Sequence, residues 1–365
     1  MEHESLPVPE RVYLDHAATT PLRATAREAM LEAFDRWANP SSPHAEGRAA
    51  RAALEEARAR IAELAGWKGA VILTGGASEG IAAVMARARG RRRVVSAVEH
   101  DAVRRAGGEE AVPLAVDRDG LVTPVTLALA LEQAGEAPLV AVQQVNSETG
   151  VIQPLDAIRE AVRDAGGLWL CDATQAVGKL PVPDADFVVF SAHKFGGPVG
   201  VGALLVRDLA TLRPTGGQEE GYRPGTENLP GVAGMAAALA EGAGWLGRAA
   251  ELRAHLDQSV EAAGGEVIAR NAPRLPTIAS YRMPGVAANA QLVRFDLAGF
   301  AVSAGSACSS GSLKPSLALA AMGLAPEEAG EVIRVSFGRS TRREEVWRFA
   351  EAWAEIAPSA GGRGP

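Results

Sequence analysis

"DADFVVFSAHKFGGPVGVGALLV", residues 184–206, is the stretch on which the reading of the fold turns. Its two apolar runs, "DFVVF" and "VGVGALLV", are too continuous in Val, Phe and Leu for a half-exposed sheet and suit strands covered on both faces. Between them lie a serine, a histidine, a lysine and a Gly-Gly-Pro turn. A lysine carries a compact, strongly hydrated ammonium, so Lys194 needs a reason to sit between two buried strands.

Outward from that stretch, from about residue 39 to 206, the chain alternates helix and strand. "SPHAEGRAARAALEEARARIAELAG" is a long Ala/Arg/Glu helix with Gly66 at its stop, and "AVILT", "RVVSAV", "PLVAVQQV" and "LWLCDA" are short apolar strands. Such repetition predicts an α/β chain with a mostly parallel central sheet covered by helices. Ligands on these sheets bind outside the carboxyl ends of the strands. After "ENLPGVAGMAAALAEGAGWLG" the pattern changes, which predicts a large domain over 16–245 and a smaller α+β domain made of 1–15 and 246–365.

Composition narrows the function. The 365 residues are 47% apolar and 22% charged, as in an ordinary folded protein, and the net charge of −7 argues against a nucleic-acid partner or an anionic membrane surface. The basic run "ARARGRRRV" reads as a solvated helix end before a strand. Two isolated cysteines, Cys171 and Cys308, suggest neither a disulfide framework nor a metal site. With no apolar leader or bilayer-length stretch in view, the expectation is a cytoplasmic protein.

The polar motifs fall at the predicted strand ends. "AVILTGGASEG" is a strand, a glycine turn and a helix starting near Ser78; such a helix start can cradle a phosphate, although Gly-Gly turns also open inert helices. Asp172 ends "LWLCD", with Gln175 three residues on, and serves either as the N-cap of a helix after the strand or as the partner of a protonated aromatic nitrogen. His100 in "VEH" can stack on a flat ring, shuttle a proton, or simply hold structure. A lysine in a dry, glycine-lined pocket has its ammonium form disfavoured and its amine freed to attack a carbonyl. The carbonyl compound that also calls for a phosphate cradle and an acidic group is pyridoxal 5'-phosphate. In "EVIRVSFG", Arg334 shares the polar strand face with Val332 and Ser336, and its planar fork suits a carboxylate.

Together with "VYLDHAATTP", "VNSETG", "RPGTEN" and "GSACSSGSLKPS", these motifs closely resemble those of the cysteine desulfurases, pyridoxal-phosphate enzymes of the class V aminotransferase group. The resemblance implies a type I fold of the pyridoxal-phosphate-dependent transferases. It assigns the cofactor aldehyde to Lys194, the ring stack to His100, the ring nitrogen to Asp172 and the ring hydroxyl to Gln175. The phosphate would fall to Ala77, Ser78, Ser191 and His193, with Thr226 reaching in from the other subunit of a homodimer. Asn146 would touch cofactor and substrate, and Arg334 would hold the substrate's α-carboxylate. Departures from the family pattern are Ala192 before the His-Lys pair, Val199 after "GGP", "GGAS" in the phosphate turn, a short segment after His100 and a brief tail.

The reaction so implied is removal of sulfur from L-cysteine, leaving a persulfide on Cys308, in a small-residue loop read as exposed, and releasing L-alanine. A sulfur-acceptor protein, such as an iron–sulfur scaffold, would receive it; tRNA thiolation and cofactor sulfuration are alternatives. A selenocysteine lyase or another class V lyase or aminotransferase is the rival activity, and a non-catalytic sulfur-transfer partner subunit is the rival of another class.

Overall fold

A computed structural model of the chain describes residues 11–305 and 316–357. Strand β1 is Val12–Tyr13; β2 (Ala70–Thr74), β3 (Arg93–Ser96), β4 (Val112–Leu114), β5 (Leu139–Ala141), β6 (Leu168–Asp172), β7 (Phe187–Ser191) and β8 (Gly202–Val206) form one seven-stranded sheet in the order β2-β8-β7-β6-β5-β3-β4. Only β8 runs against its neighbours. The expected mostly parallel sheet is thus present, and β2, β3, β6 and β7 all end on the same edge.

The continuous apolar runs are explained by burial on both faces. Leu73, Trp169, Cys171, Val188, Phe190 and Leu205 face one core, packed beneath helices α1 (Ala24–Phe34), α2 (Ala45–Leu64) and the helix Leu229–Ala240. Ile72, Leu170, Phe187, Val189 and Leu204 face the other, against Ile81, Val84 and Met85 of α3 (Ala77–Arg87). Every residue of β7 and β8 is buried. Helix α2 stops where expected, before Gly66 in the left-handed region at φ +62°.

A second core lies around β9 (Glu266–Val267), β10 (Ile278–Arg282), β11 (Phe300–Ala301), β12 (Ser303–Ala304) and β13 (Val332–Ser336). Four of these form an antiparallel sheet in the order β12-β13-β10-β9, while β1 pairs in parallel with β11. Tyr281, Phe295, Phe349 and Trp353 fill this core, and Val12 and Leu14 pack into it. The N-terminal strand then leads straight back to the large sheet, so residues 15–20 run between the two cores. Among the described residues no helix is long and apolar enough to cross a membrane.

Candidate active site

A cleft of about 460 Å³ opens at the carboxyl ends of β2 and β7, lined by Gly75, Gly76, Ala77, Ser78, Glu79, Ser191, His193 and Val199–Val201. The four residues expected to hold a phosphate therefore share one cavity. Gly76 caps α3 at φ +149°, a conformation closed to most side chains, and a Cβ on Gly202 would meet Gly76 Cα at 2.8 Å. Glycine at both positions lets the turn lie on β8. The sequence reading leaves the first-turn N–H groups of α3 without partners; Ala77 is an exception, because its N–H donates to Ser191 Oγ at 2.8 Å. A residue the sequence reading missed, Glu79, accepts from Gly75 N and from Arg223 Nε on the rim of the same cleft.

Lys194 does not point into bulk water. Its Nζ donates to the carbonyl oxygens of Ala17 at 2.8 Å and Ala18 at 2.7 Å, in the segment between the two cores. Burial pushes its pKa down to about 8, the nearby Arg334 guanidinium pushes the same way, and Asp172 and Asp15 pull partly back. A second buried amine, Lys179, lies behind it, bonded to Gln175 O at 2.9 Å and brought down to about 7 by burial and by Lys194. His193 shares Thr19 Oγ1 at 3.2 Å, and burial and Lys194 bring it to about 4, so its ring is neutral at physiological pH.

Asp172 Oδ1 accepts from Thr174 N at 2.9 Å, a turn rather than a helix cap, since no helix follows. Gln175 donates to Ala17 O at 2.9 Å, and its Oε1 is buried without a partner among the described residues. His100 caps α4 (Asp101–Gly107), its Nδ1 accepting from Ala102 N at 3.2 Å. The ring is exposed at the strand edge. Asn146 is buried and largely committed to its own loop: Oδ1 accepts from Glu148 N and Thr149 N, and Nδ2 donates to Val98 O.

Arg334 is buried, not solvent-facing. Its Nη2 donates to Asp15 Oδ1 at 2.8 Å and its Nη1 to Ser147 O at 3.1 Å, while Nε is buried without a partner among the described residues. Thr226 is exposed on the loop before the helix Leu229–Ala240. That loop is pinned from behind by Glu219, whose carboxylate receives both arms of Arg58 and the N–H of Leu73. Cys308 and its loop lie outside the described residues. Cys171 is fully buried, and burial pushes its thiol pKa well up, which suits packing and not chemistry.

These residues fit pyridoxal 5'-phosphate. The cleft offers a helix start, a serine and a histidine to a phosphate; the orphaned Gln175 Oε1 can accept from a ring hydroxyl; and a buried amine of lowered pKa lies nearby. Asp15, Glu79, Lys179 and the Arg58–Glu219 pair escaped the sequence reading. The quoted "VYLDHAATTP" and "AVILTGGASEG" contain Asp15 and Glu79 without pointing to a role for either, since Arg334 and Arg223, which bind them, lie far away in the chain.

Residues 12–349 match the family described as aminotransferase class-V. A cysteine desulfurase of Frankia sp. is 39% identical, with 93% of this chain and 90% of that protein covered. The cysteine desulfurase IscS of Dictyoglomus turgidum is 37% identical, with 92% and 91% covered. Among solved structures, a NifS-like protein from Rickettsia africae superposes with a TM-score of 0.88 at 29% identity, covering 95% of this chain and 99% of that one.

Proposed function

Because the chain belongs to the cysteine desulfurase family of the class V aminotransferases, we propose that it is a pyridoxal-phosphate-dependent enzyme that takes sulfur from L-cysteine and releases L-alanine. The observation that carries this reading is the environment of Lys194: a buried amine of lowered pKa, close enough to Asp172 and Arg334 to feel both charges, beside a cleft suited to an anion.

When bound, the cofactor would supply an electron sink for the carbon skeleton of the amino acid. Lys194 would hold it, with Asp172 at the ring nitrogen, Gln175 at the ring hydroxyl, His100 over the ring, Asn146 beside it, and Ala77, Ser78, Ser191 and His193 around the phosphate. Arg334 would hold the substrate carboxylate through its fork. The Lys194 amine, neutral in an appreciable fraction near pH 8, would take and return the α-proton. The thiolate of Cys308 would attack the substrate sulfur: an S–S bond forms, the C–S bond breaks, and the bonding electrons leave with the carbon fragment, which takes up a proton on the way to alanine.

Thr226, exposed on a loop clamped to β2, suits a contribution to the phosphate site of a second copy in a homodimer. The persulfide would pass to a sulfur-acceptor protein, such as an iron–sulfur scaffold or a carrier for tRNA thiolation or cofactor sulfuration. Incubation of the holoenzyme with L-cysteine tests the reading. Equimolar alanine and a thiol-labile mass increase confined to the Cys308 peptide are expected; alanine without any modification of Cys308, or no alanine, overturns it.

A further inference from the structure

Arg334 comes with its own counter-ion. Asp15 Oδ1 takes its Nη2 at 2.8 Å, and Asp15 Oδ2 is fixed in turn by Ser303 Oγ at 2.8 Å. The pair is built into the backbone: Asp15 bridges in parallel to Ser336 of β13, the strand that carries Arg334, and Ala17 N donates to Ser336 Oγ at 2.8 Å. Arg334 is buried, at 7% side-chain exposure, and Asp15 is partly buried, at 18%. A second carboxyl, Glu148, lies in the field of Arg334, which opposes the upward push of burial on its pKa, but the carboxylate in ion-pair contact with the guanidinium is that of Asp15. Asp15 also shapes the other end of the site, because its carbonyl accepts from Ala18 N at 3.1 Å and Thr19 N at 3.3 Å, closing the turn whose oxygens hold Lys194 Nζ.

This arrangement has a consequence for a site that handles amino acids. Substrate and product of the proposed reaction carry the same α-carboxylate, so a grip made by an uncompensated buried guanidinium would retain both, together with any stray anion. A guanidinium already neutralised, with only Nε left unpartnered among the described residues, binds a carboxylate less tightly. We propose that Asp15 is a specificity-determining positioning residue: it neutralises Arg334 in the open site, so that a carboxylate, that of product alanine included, is retained only while the ligand's amino group is engaged as well. The inference rests on the reading of Arg334 as the carboxylate holder.

The test uses the holoenzyme and two probes, L-alanine, followed through the cofactor absorbance, and acetate, followed as an inhibitor of L-cysteine turnover. Asp15→Asn keeps the shape and removes the charge; it is expected to bind L-alanine about tenfold more tightly and to become sensitive to acetate, with Asp15→Glu restoring weak binding. Damage to the site would weaken alanine binding, so the direction of the change separates charge balance from structural disruption. Unchanged or weaker alanine binding in Asp15→Asn overturns the inference. Arg334→Gln is run in parallel: if it binds alanine as wild type does, the assignment of Arg334 itself fails, whereas loss of binding there with no tightening in Asp15→Asn removes the role of Asp15 alone.

Discussion

The carbonyl oxygen of Ala18 accepts a hydrogen bond from the Lys194 amine at 2.7 Å. Two such carbonyls favour the ammonium, yet burial and Arg334 outweigh them and leave the pKa near 8. Capture of pyridoxal phosphate by the cofactor-free protein needs the neutral amine, so its rate is expected to rise with pH through a midpoint near 8 and to vanish in Lys194→Ala. Rapid-mixing absorbance measures it. A midpoint near the ordinary 10.5 of lysine, or capture by Lys194→Ala, would contradict the assignment.

The two cysteines are expected to part company. Cys171 is enclosed in β6 and its thiol is held protonated by burial, so a mild alkylating reagent should label Cys308 alone in the native protein and both after denaturation. Cys308→Ala should keep the cofactor colour and lose persulfide formation. Peptide mass spectrometry reads the labelling, and native labelling of Cys171 would count against it.

Arg58 of α2 holds Glu219, whose side chain is only 1% exposed, at a point where Glu219 and Glu220 both adopt positive φ, at 52° and 54°. Two consecutive non-glycine residues in that region persist only when their surroundings impose it. Arg58→Met strands a buried carboxylate and should cost about 3 kcal/mol of stability. Because Thr226 lies seven residues beyond Glu219, the variant should also release pyridoxal phosphate faster. Urea unfolding and cofactor dissociation by absorbance check the two effects.

Glu99 gives the folded protein a distinctive pH response. Burial, and then the neighbouring Asp172, raise its pKa from 4.5 to about 8, so between these values the folded chain binds a proton that the unfolded chain has lost. Its contribution to stability is complete below about 4.5 and is lost as pH rises through about 8. In the cofactor-free protein, Glu99→Gln should flatten this fall by up to about 1.4 kcal/mol per pH unit. Denaturation midpoints at pH 5, 6.5 and 8 supply the comparison, and parallel curves for the two proteins would refute it.

Much of the site was legible as chemistry and little of it as geometry. Ser191, His193 and Lys194 come directly after β7 or at its end, and Ala77 and Ser78 just after β2, so knowing the strands was enough to place them on one edge. The hydrogen bonds were not legible: Asn146 spends its oxygen on its own loop, and Ala77 gives its N–H to Ser191. Such choices depend on which donors come within about 3 Å once the strands are side by side.

By itself the sequence determined the mostly parallel sheet, because unbroken apolar runs such as "FVVF" can be buried only between two helical layers, and it determined the chemical types of residue at the strand ends. Only the tertiary structure decided how those residues are charged and held. Asp15 and Arg334 are 319 positions apart, and no local pattern links them. They meet because the N-terminal strand packs into the second core and turns back beside β13, and it is this packing that removes water from around both groups and makes their charges felt at Lys194.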